Sequence, residues 1–333
     1  MARVISIGDG GDKQAAIAAA ITVLGARRSV AIPTETVYGL AADATDPAAI
    51  TSIYETKGRP RFNPLICHMA DLAMAERHAV FDPISRKLAQ AFWPGPLTLV
   101  LQLSEASDIH ALATAGLDSV GIRVPLGFTA DLIRAYGKPL AAPSANSSGL
   151  VSPTTAAHVD ADLGDRIDLV VDGGPCPVGV ESTIVKVEDG RIRLLRPGGI
   201  AVEEIEAVTG LAVERRKAAG TAAIEAPGML ASHYAPRAGV RLNATEVFAD
   251  EALLAFGGQS ISGMEMAALV LNLSPNGDLA EAAANLFAYL KQADATGVAG
   301  IAVMPIPDRG LGEAINDRLV RAAAPRGLEG AEG

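Results

Sequence analysis

The sequence predicts an α/β fold in two parts: a mixed twisted sheet flanked by helices over residues 1–210, and a smaller open α/β domain of Rossmann-like character over 240–333. Short apolar runs alternate with amphipathic stretches along most of the chain, the pattern of strands feeding helices. At 333 residues the length suits two cores. Between residues 211 and 239 the rhythm breaks into Gly220, Pro227, Gly228, Pro236 and Gly239 around the basic triplet Arg215-Arg216-Lys217, so this stretch reads as a linker.

Taken in order, Lys13 to Gly25 is a helix rich in Ala and Ile, and Val30-Ala31-Ile32 a short buried strand running into the loop Pro33-Thr34-Glu35-Thr36. Asp46 caps a second helix with Pro47 at its first position, ending near Lys57. Strands follow at Leu65–Met69, Leu97–Leu103, Ser119–Val124, Leu140–Ala142 and Leu169–Asp172, with helices at Pro83–Phe92 and Phe128–Tyr136. Asp189-Gly190, between Thr183–Val187 and Ile192–Leu195, signals a hairpin. In the tail, Leu253–Phe256, Ala267–Leu273 and Gly300–Pro305 read as strands. Asp278–Ala295 and Leu311–Ala324 read as helices, the first capped by Asp278.

Composition narrows the function classes. The formal charge is −10, and the acidity is concentrated late: residues 240–333 hold 6 Lys/Arg against 12 Asp/Glu, the rest 22 against 26. An isoelectric point near 5.0 argues against nucleic acid as the main ligand, so any such grip would be local. Cys67 and Cys176 stand far apart, which is no disulfide framework and fits a reducing compartment. Met1 to Asp12 lacks the apolar core of a secretory signal, and no run approaches the ~20 apolar residues of a membrane span. A cytoplasmic protein with no membrane anchor is expected.

The chemistry-bearing segments are Pro33-Thr34-Glu35-Thr36-Val37-Tyr38-Gly39-Leu40, Lys57-Gly58-Arg59-Pro60-Arg61, Phe62-Asn63-Pro64 running into Cys67-His68, Gly121-Ile122-Arg123-Val124-Pro125, Ala142-Pro143-Ser144-Ala145-Asn146, Glu181-Ser182-Thr183-Ile184 and Leu195-Arg196-Pro197-Gly198. Pro60 and Pro64 oppose helix, so an extended stretch would align Lys57, Arg59 and Arg61 on one face, ready for a phosphate chain. A solvated charged loop is the alternative. Arg123, between Ile122 and Val124, points opposite to them on a strand and requires an anionic partner if buried, which a substrate carboxylate would supply. Thr34 could cap the turn after Pro33, and Glu35 could accept an amine or act as a base; the residues alone leave both open. His68, in an apolar strand, reads equally as a structural histidine or a substrate contact, and no second His or Cys stands at zinc-ligand spacing. Ser144, Asn146 and Ser152 also suit plain turn and cap chemistry.

In order and spacing these segments resemble the YrdC-like threonylcarbamoyl-adenylate synthases over about residues 13–209, and His233-Tyr234-Ala235-Pro236 with the tail suggests the long, two-domain form. The resemblance implies a YrdC-like sheet and a nucleotidyltransferase that converts L-threonine, bicarbonate or CO2, and ATP into threonylcarbamoyl-AMP and pyrophosphate. The product would serve downstream tRNA threonylcarbamoyl transferase proteins in making threonylcarbamoyladenosine. It implies ATP contacts from Lys57, Arg61, Ser144, Asn146, Ser152, Arg196 and Tyr234, and L-threonine contacts from Thr34, His68, Arg123, Ala142 and Ser182. Arg59 stands nearby as a phosphate or RNA contact. Mg2+ is expected on the triphosphate, although no carboxylate cluster marks a protein ligand for it. The linker would fold over the active site and bring Tyr234 to the nucleotide. The chain has no Gly-x-x-x-x-Gly-Lys-Ser/Thr loop, so ATP use rests on the resemblance and the cations. A double-stranded RNA or tRNA-binding module is the alternative. Carbamoyl transfer from another donor is a third reading, without support because its accompanying modules are absent.

Overall fold

The structure, a computed structural model, describes residues 1–8, 10–60, 62–215, 225, 227 and 233–325. It divides into two compact units, residues 1–148 with 152–229, and residues 149–151 with 230–333.

The first unit is built on strands β1 (Arg3–Ser6), β2 (Val30–Ile32), β3 (Gly39–Asp43), β4 (Ile66–His68), β5 (Ala79–Val80), β6 (Leu97–Leu103), β7 (Ser119–Arg123), β8 (Leu140–Ala141), β9 (Leu169–Asp172), β10 (Thr183–Glu188), β11 (Arg191–Arg196) and β12 (Val213–Arg215). They form one mixed sheet in the order β1-β9-β2-β3-β8-β4-β7-β6-β10-β11-β12, with β5 beside β6. The β4–β7 and β6–β10 pairs are parallel, while β6–β7, β4–β8 and β10–β11 are antiparallel. Helices α1 (Lys13–Gly25), α2 (Pro47–Lys57), α3 (Leu72–His78), α4 (Pro83–Phe92), α5 (Ala111–Thr114), α6 (Phe128–Tyr136), α7 (Ala156–Leu163) and α8 (Val202–Thr209) complete the unit.

Local chemistry accounts for most boundaries. Asp46 accepts from the Ala48 and Ala49 amides with Pro47 at the first helical position, and Gly58 ends α2 in the left-handed region at φ 60°. Asp189 and Gly190 both take positive φ, as a two-residue hairpin of type I′ requires, and Glu188 pairs with Arg191 across it. Several strands are not apparent in the sequence, three of them for local reasons. Here β1 is half polar, β3 is Gly-Leu-Ala-Ala-Asp with little intrinsic strand preference, and β12 lies inside the stretch read as linker yet pairs with β11.

The two faces of the central strands differ. Cys67, Leu99, Ile122 and Val185 join the main core, each such buried side chain contributing roughly 1.5–3 kcal/mol. The opposite face carries a separate small apolar cluster of Ile66, Val100, Ile184 and Leu195, and between these sit the polar residues of the site.

The second unit is a parallel four-stranded sheet in the order β13-β16-β14-β15, formed by β13 (Gly239–Arg241), β14 (Glu251–Ala255), β15 (Leu269–Asn272) and β16 (Gly300–Val303). Helices α9 (Leu279–Ala295) and α10 (Leu311–Ala323) accompany it, α9 capped by Asp278. This is the open doubly wound arrangement expected of the tail.

Candidate active site

Register aligns the site. In the parallel β4–β7 pair His68 stands beside Arg123, and because Leu99 of β6 is registered with Ile122, Thr98 falls opposite Arg123. Ile184 of β10 pairs with Thr98 on one side and with Arg196 on the other. Registered neighbours share a face, so His68, Arg123 and Thr98 project from the side carrying the small apolar cluster.

Arg123 is 4% exposed, and its guanidinium is held on three sides. Nε donates to Gly95 O at 3.2 Å, Nη1 to Thr36 Oγ1 at 2.8 Å, and Nη2 pairs with Glu35 Oε1 at 2.6 Å. Glu35 Oε2 accepts from the Leu126 amide at 3.1 Å. An anionic partner for the buried arginine is therefore present within the chain itself.

Proton bookkeeping fixes a direction in the adjoining loop. The Thr34 hydroxyl donates to Val37 O at 2.6 Å, so in its 2.8 Å contact with Thr36 Oγ1 the hydrogen comes from Thr36. Thr34 Oγ1 also accepts from the Thr36 and Val37 amides, which is the turn-capping reading of this residue. His68 is buried, and burial, with Arg123 beside it, pulls its imidazole down to about 3, leaving it neutral at physiological pH. Among the described residues its Nδ1 has no hydrogen-bond partner. Ala142 is fixed by its amide, which donates to Ile66 O.

Ser182 and Arg196 form a second cluster. Ser182 Oγ lies 2.7 Å from Thr98 Oγ1, while Arg196 donates through Nε and Nη2 to Ser182 O and through Nη2 to Ser182 Oγ at 3.2 Å. Ser152 donates to Glu181 Oε1 at 2.6 Å. Gly198 closes this cluster from behind: a Cβ there would lie 2.3 Å from Glu181 O and 2.4 Å from Thr183 N, so no side chain fits.

The cation stretch departs from its expected geometry. Lys57 is the last residue of α2 and not part of an extended segment, because the Asp46 cap carries the helix to the Gly58 turn; Lys57 and Arg59 therefore do not share a strand face. Both are buried. Lys57 Nζ donates to the carbonyls of Ser144 and Asn146, and Arg59 to those of Asn63 and Pro64. Burial, with Arg59 close by, pushes the Lys57 ammonium well below its usual range. Asn146 Nδ2 donates to Ser147 O, and Ser147 Oγ to Asp162, which orders the loop. Arg61 lies outside the described residues. Tyr234 is 1% exposed inside the second unit, stacked on Phe287 at 5.5 Å with the Arg318 guanidinium 5.2 Å from its ring.

The sequence assigns no role to Thr36, Thr98 or Glu181 and leaves that of Glu35 open. Glu35, Thr36 and Glu181 lie within the chemistry-bearing segments, while Thr98 lies outside them, a hydroxyl within the apolar strand Leu97–Leu103.

A mixed sheet that gathers buried cations and hydroxyls along one face defines an anion-binding α/β enzyme domain. The profile of the Sua5/YciO/YrdC family, described as telomere recombination, matches residues 23–198, and that of the threonylcarbamoyl-AMP synthase C-terminal domain matches 200–324. The chain is 41% identical to the threonylcarbamoyl-AMP synthase of Bacillus subtilis over 93% of each chain. It is 42% identical to that of Pyrococcus abyssi, covering 89% of this chain and 91% of that protein. The crystal structure of P. abyssi Sua5 complexed with L-threonine superimposes with a TM-score of 0.86 at 37% identity, covering 96% of this chain and 97% of that one. The chain belongs to the Sua5/YciO/YrdC family in its two-domain, threonylcarbamoyl-AMP synthase form, enzymes that use ATP to make an AMP-linked intermediate.

Proposed function

We propose that this chain is an L-threonylcarbamoyladenylate synthase acting in tRNA threonylcarbamoyladenosine formation. The amine nitrogen of threonine bonds to the carbon of CO2 with loss of a proton, or to that of bicarbonate with loss of water. A carbamate oxygen then bonds to the α-phosphorus of ATP as the bond to the bridging oxygen breaks and pyrophosphate leaves. Both reactants are anions, so fixed cations and exclusion of water carry the catalysis. The observation that supports this reading most is the alignment of His68, Arg123 and Thr98 on one face, with Ser182 and Arg196 hydrogen-bonded to each other beside them.

Threonine is assigned to Thr34, His68, Arg123, Ala142 and Ser182, and ATP to Lys57, Arg61, Ser144, Asn146, Ser152, Arg196 and Tyr234. Arg59 is kept as a phosphate or weak tRNA contact. The domains are taken as 1–210 and 240–333, with 211–239 as a linker folding over the site from the point where β12 leaves the first sheet. Among the described residues no group of three or more His, Cys, Asp or Glu is placed to hold a metal ion. Mg2+ would therefore arrive on the ATP phosphates, and no step is assigned to it. Downstream transferases would take the product. Two free buried cysteines support a cytoplasmic setting, and among the described residues no helix is long and apolar enough to cross a membrane.

The test is pyrophosphate release with ATP, bicarbonate and threonine. Turnover that requires threonine supports the reading; release independent of threonine, or none at all, overturns it. Valine should be a far poorer substrate than threonine, and serine a better one than valine, because a site built for a hydroxyl rejects its absence.

A further inference from the structure

We infer that Glu35 is a positioning residue for threonine, acting through Arg123; the inference rests on the proposed reading in which Arg123 holds the substrate carboxylate.

Glu35 is 7% exposed, and its oxygens face different segments. Oε1 faces Arg123 Nη2 in an ion pair at 2.6 Å that lacks hydrogen-bond geometry, Oε2 accepts from the Leu126 amide at 3.1 Å, and the main-chain oxygen accepts from the Val178 amide at 2.9 Å. One side chain thus ties the loop after β2 to the end of β7 and to the turn that follows it. With Gly95 O and Thr36 Oγ1 on the other guanidinium nitrogens, the plane of Arg123 is fixed before any ligand arrives. Pre-orientation of this kind lowers the ordering cost of binding a planar carboxylate. Charge balance adds to it, since Glu35 neutralises the arginine while the site is empty and permits its burial.

The effect should fall on threonine and not on nucleotide. Glu35→Gln keeps size, but one carbonyl oxygen cannot serve both Arg123 and the Leu126 amide, and its NH2 would face a donor. Glu35→Asp keeps the charge and shortens the reach. In steady-state pyrophosphate-release kinetics on the full chain, Glu35→Gln should raise KM for threonine about tenfold, with a smaller fall in kcat and an unchanged KM for ATP. Glu35→Asp should lie between it and the parent, and serves as the test if Glu35→Gln does not fold. Arg123→Lys, run alongside, should raise threonine KM at least as much.

Parallel rises in both KM values for the Glu35 variants would mark a merely structural role and overturn the inference. So would a raised threonine KM in Arg123→Lys with no change in Glu35→Gln. An unchanged threonine KM in Arg123→Lys would instead overturn the carboxylate assignment, and this inference with it.

Discussion

Arg123 and Lys57 are both buried cations of the first unit, yet the chain treats their charges in opposite ways. Arg123 meets a full carboxylate, Glu35, and sits in a locally neutral pair. Lys57 meets main-chain carbonyls of Ser144 and Asn146, which solvate the ammonium without cancelling it. A neutral pair can hold one small carboxylate in a set orientation, whereas an uncancelled buried cation favours a ligand that brings several negative charges. The contrast matches the amino-acid end and the phosphate end of the proposed reaction, and each end can be perturbed separately.

The largest effect is expected from breaking the pair. Arg123→Ala leaves Glu35 buried without its counter-charge and should cost about 3–5 kcal/mol of stability, measured by urea unfolding. Adding Glu35→Leu should recover part of that loss, since a buried pair replaced by apolar groups is often near neutral. If the double variant is no more stable than the single, the pair is not the source of the loss.

Lys57→Met should behave differently. Removing a charge-assisted contact worth about 1.5–3 kcal/mol should weaken ATP binding roughly tenfold or more, read by calorimetry. The ligand-free protein should tolerate the change, and pH exposes why. The folded state holds this ammonium below its unfolded value of 10.5, so the unfolded chain binds more protons between the two values. The Lys57 contribution is therefore fully present above pH 10.5 and is lost as pH falls toward the folded value. Parent stability relative to Lys57→Met should rise with pH across that window; a flat difference would mean that the lysine is not desolvated as described.

Smaller effects belong to the groups between the two ends. Thr98→Val removes the hydroxyl partner of Ser182 and should cost about 1 kcal/mol, with threonine use falling more than ATP binding. Tyr234 sharpens the comparison from the second unit. Its ring is core to the second unit and Tyr234→Phe keeps that packing, so a loss of ATP use in that variant would isolate the hydroxyl. Unchanged ATP use would remove the Tyr234 hydroxyl from the nucleotide assignment.

Much of this was legible in the sequence because the signals were local. The Asp46-Pro47 cap, the Asp189-Gly190 hairpin and the Asp278 cap each act within a few residues, and each formed where read. Arg123 was legible as a buried strand arginine. Its partner was not, since Glu35 lies 88 positions away and only the order of strands brings them together. The cation stretch misled for a related reason: the prolines beyond Gly58 argued for extended chain, while the helix arriving from Asp46 settled the conformation of Lys57. Strand β3 escaped notice because Gly39-Leu40-Ala41-Ala42-Asp43 has almost no strand preference of its own, and burial between β2 and β8 decides it.

Gly198 carries no chemistry, yet the backbone of Glu181 to Thr183 lies so close that even a methyl group would displace it. In a saturation screen of this chain for growth or turnover, position 198 should therefore score as intolerant as the arginines, with alanine no milder than tryptophan. A sensitivity map would outline the site partly through an atom that is missing, and a ligand-contact survey would pass over it.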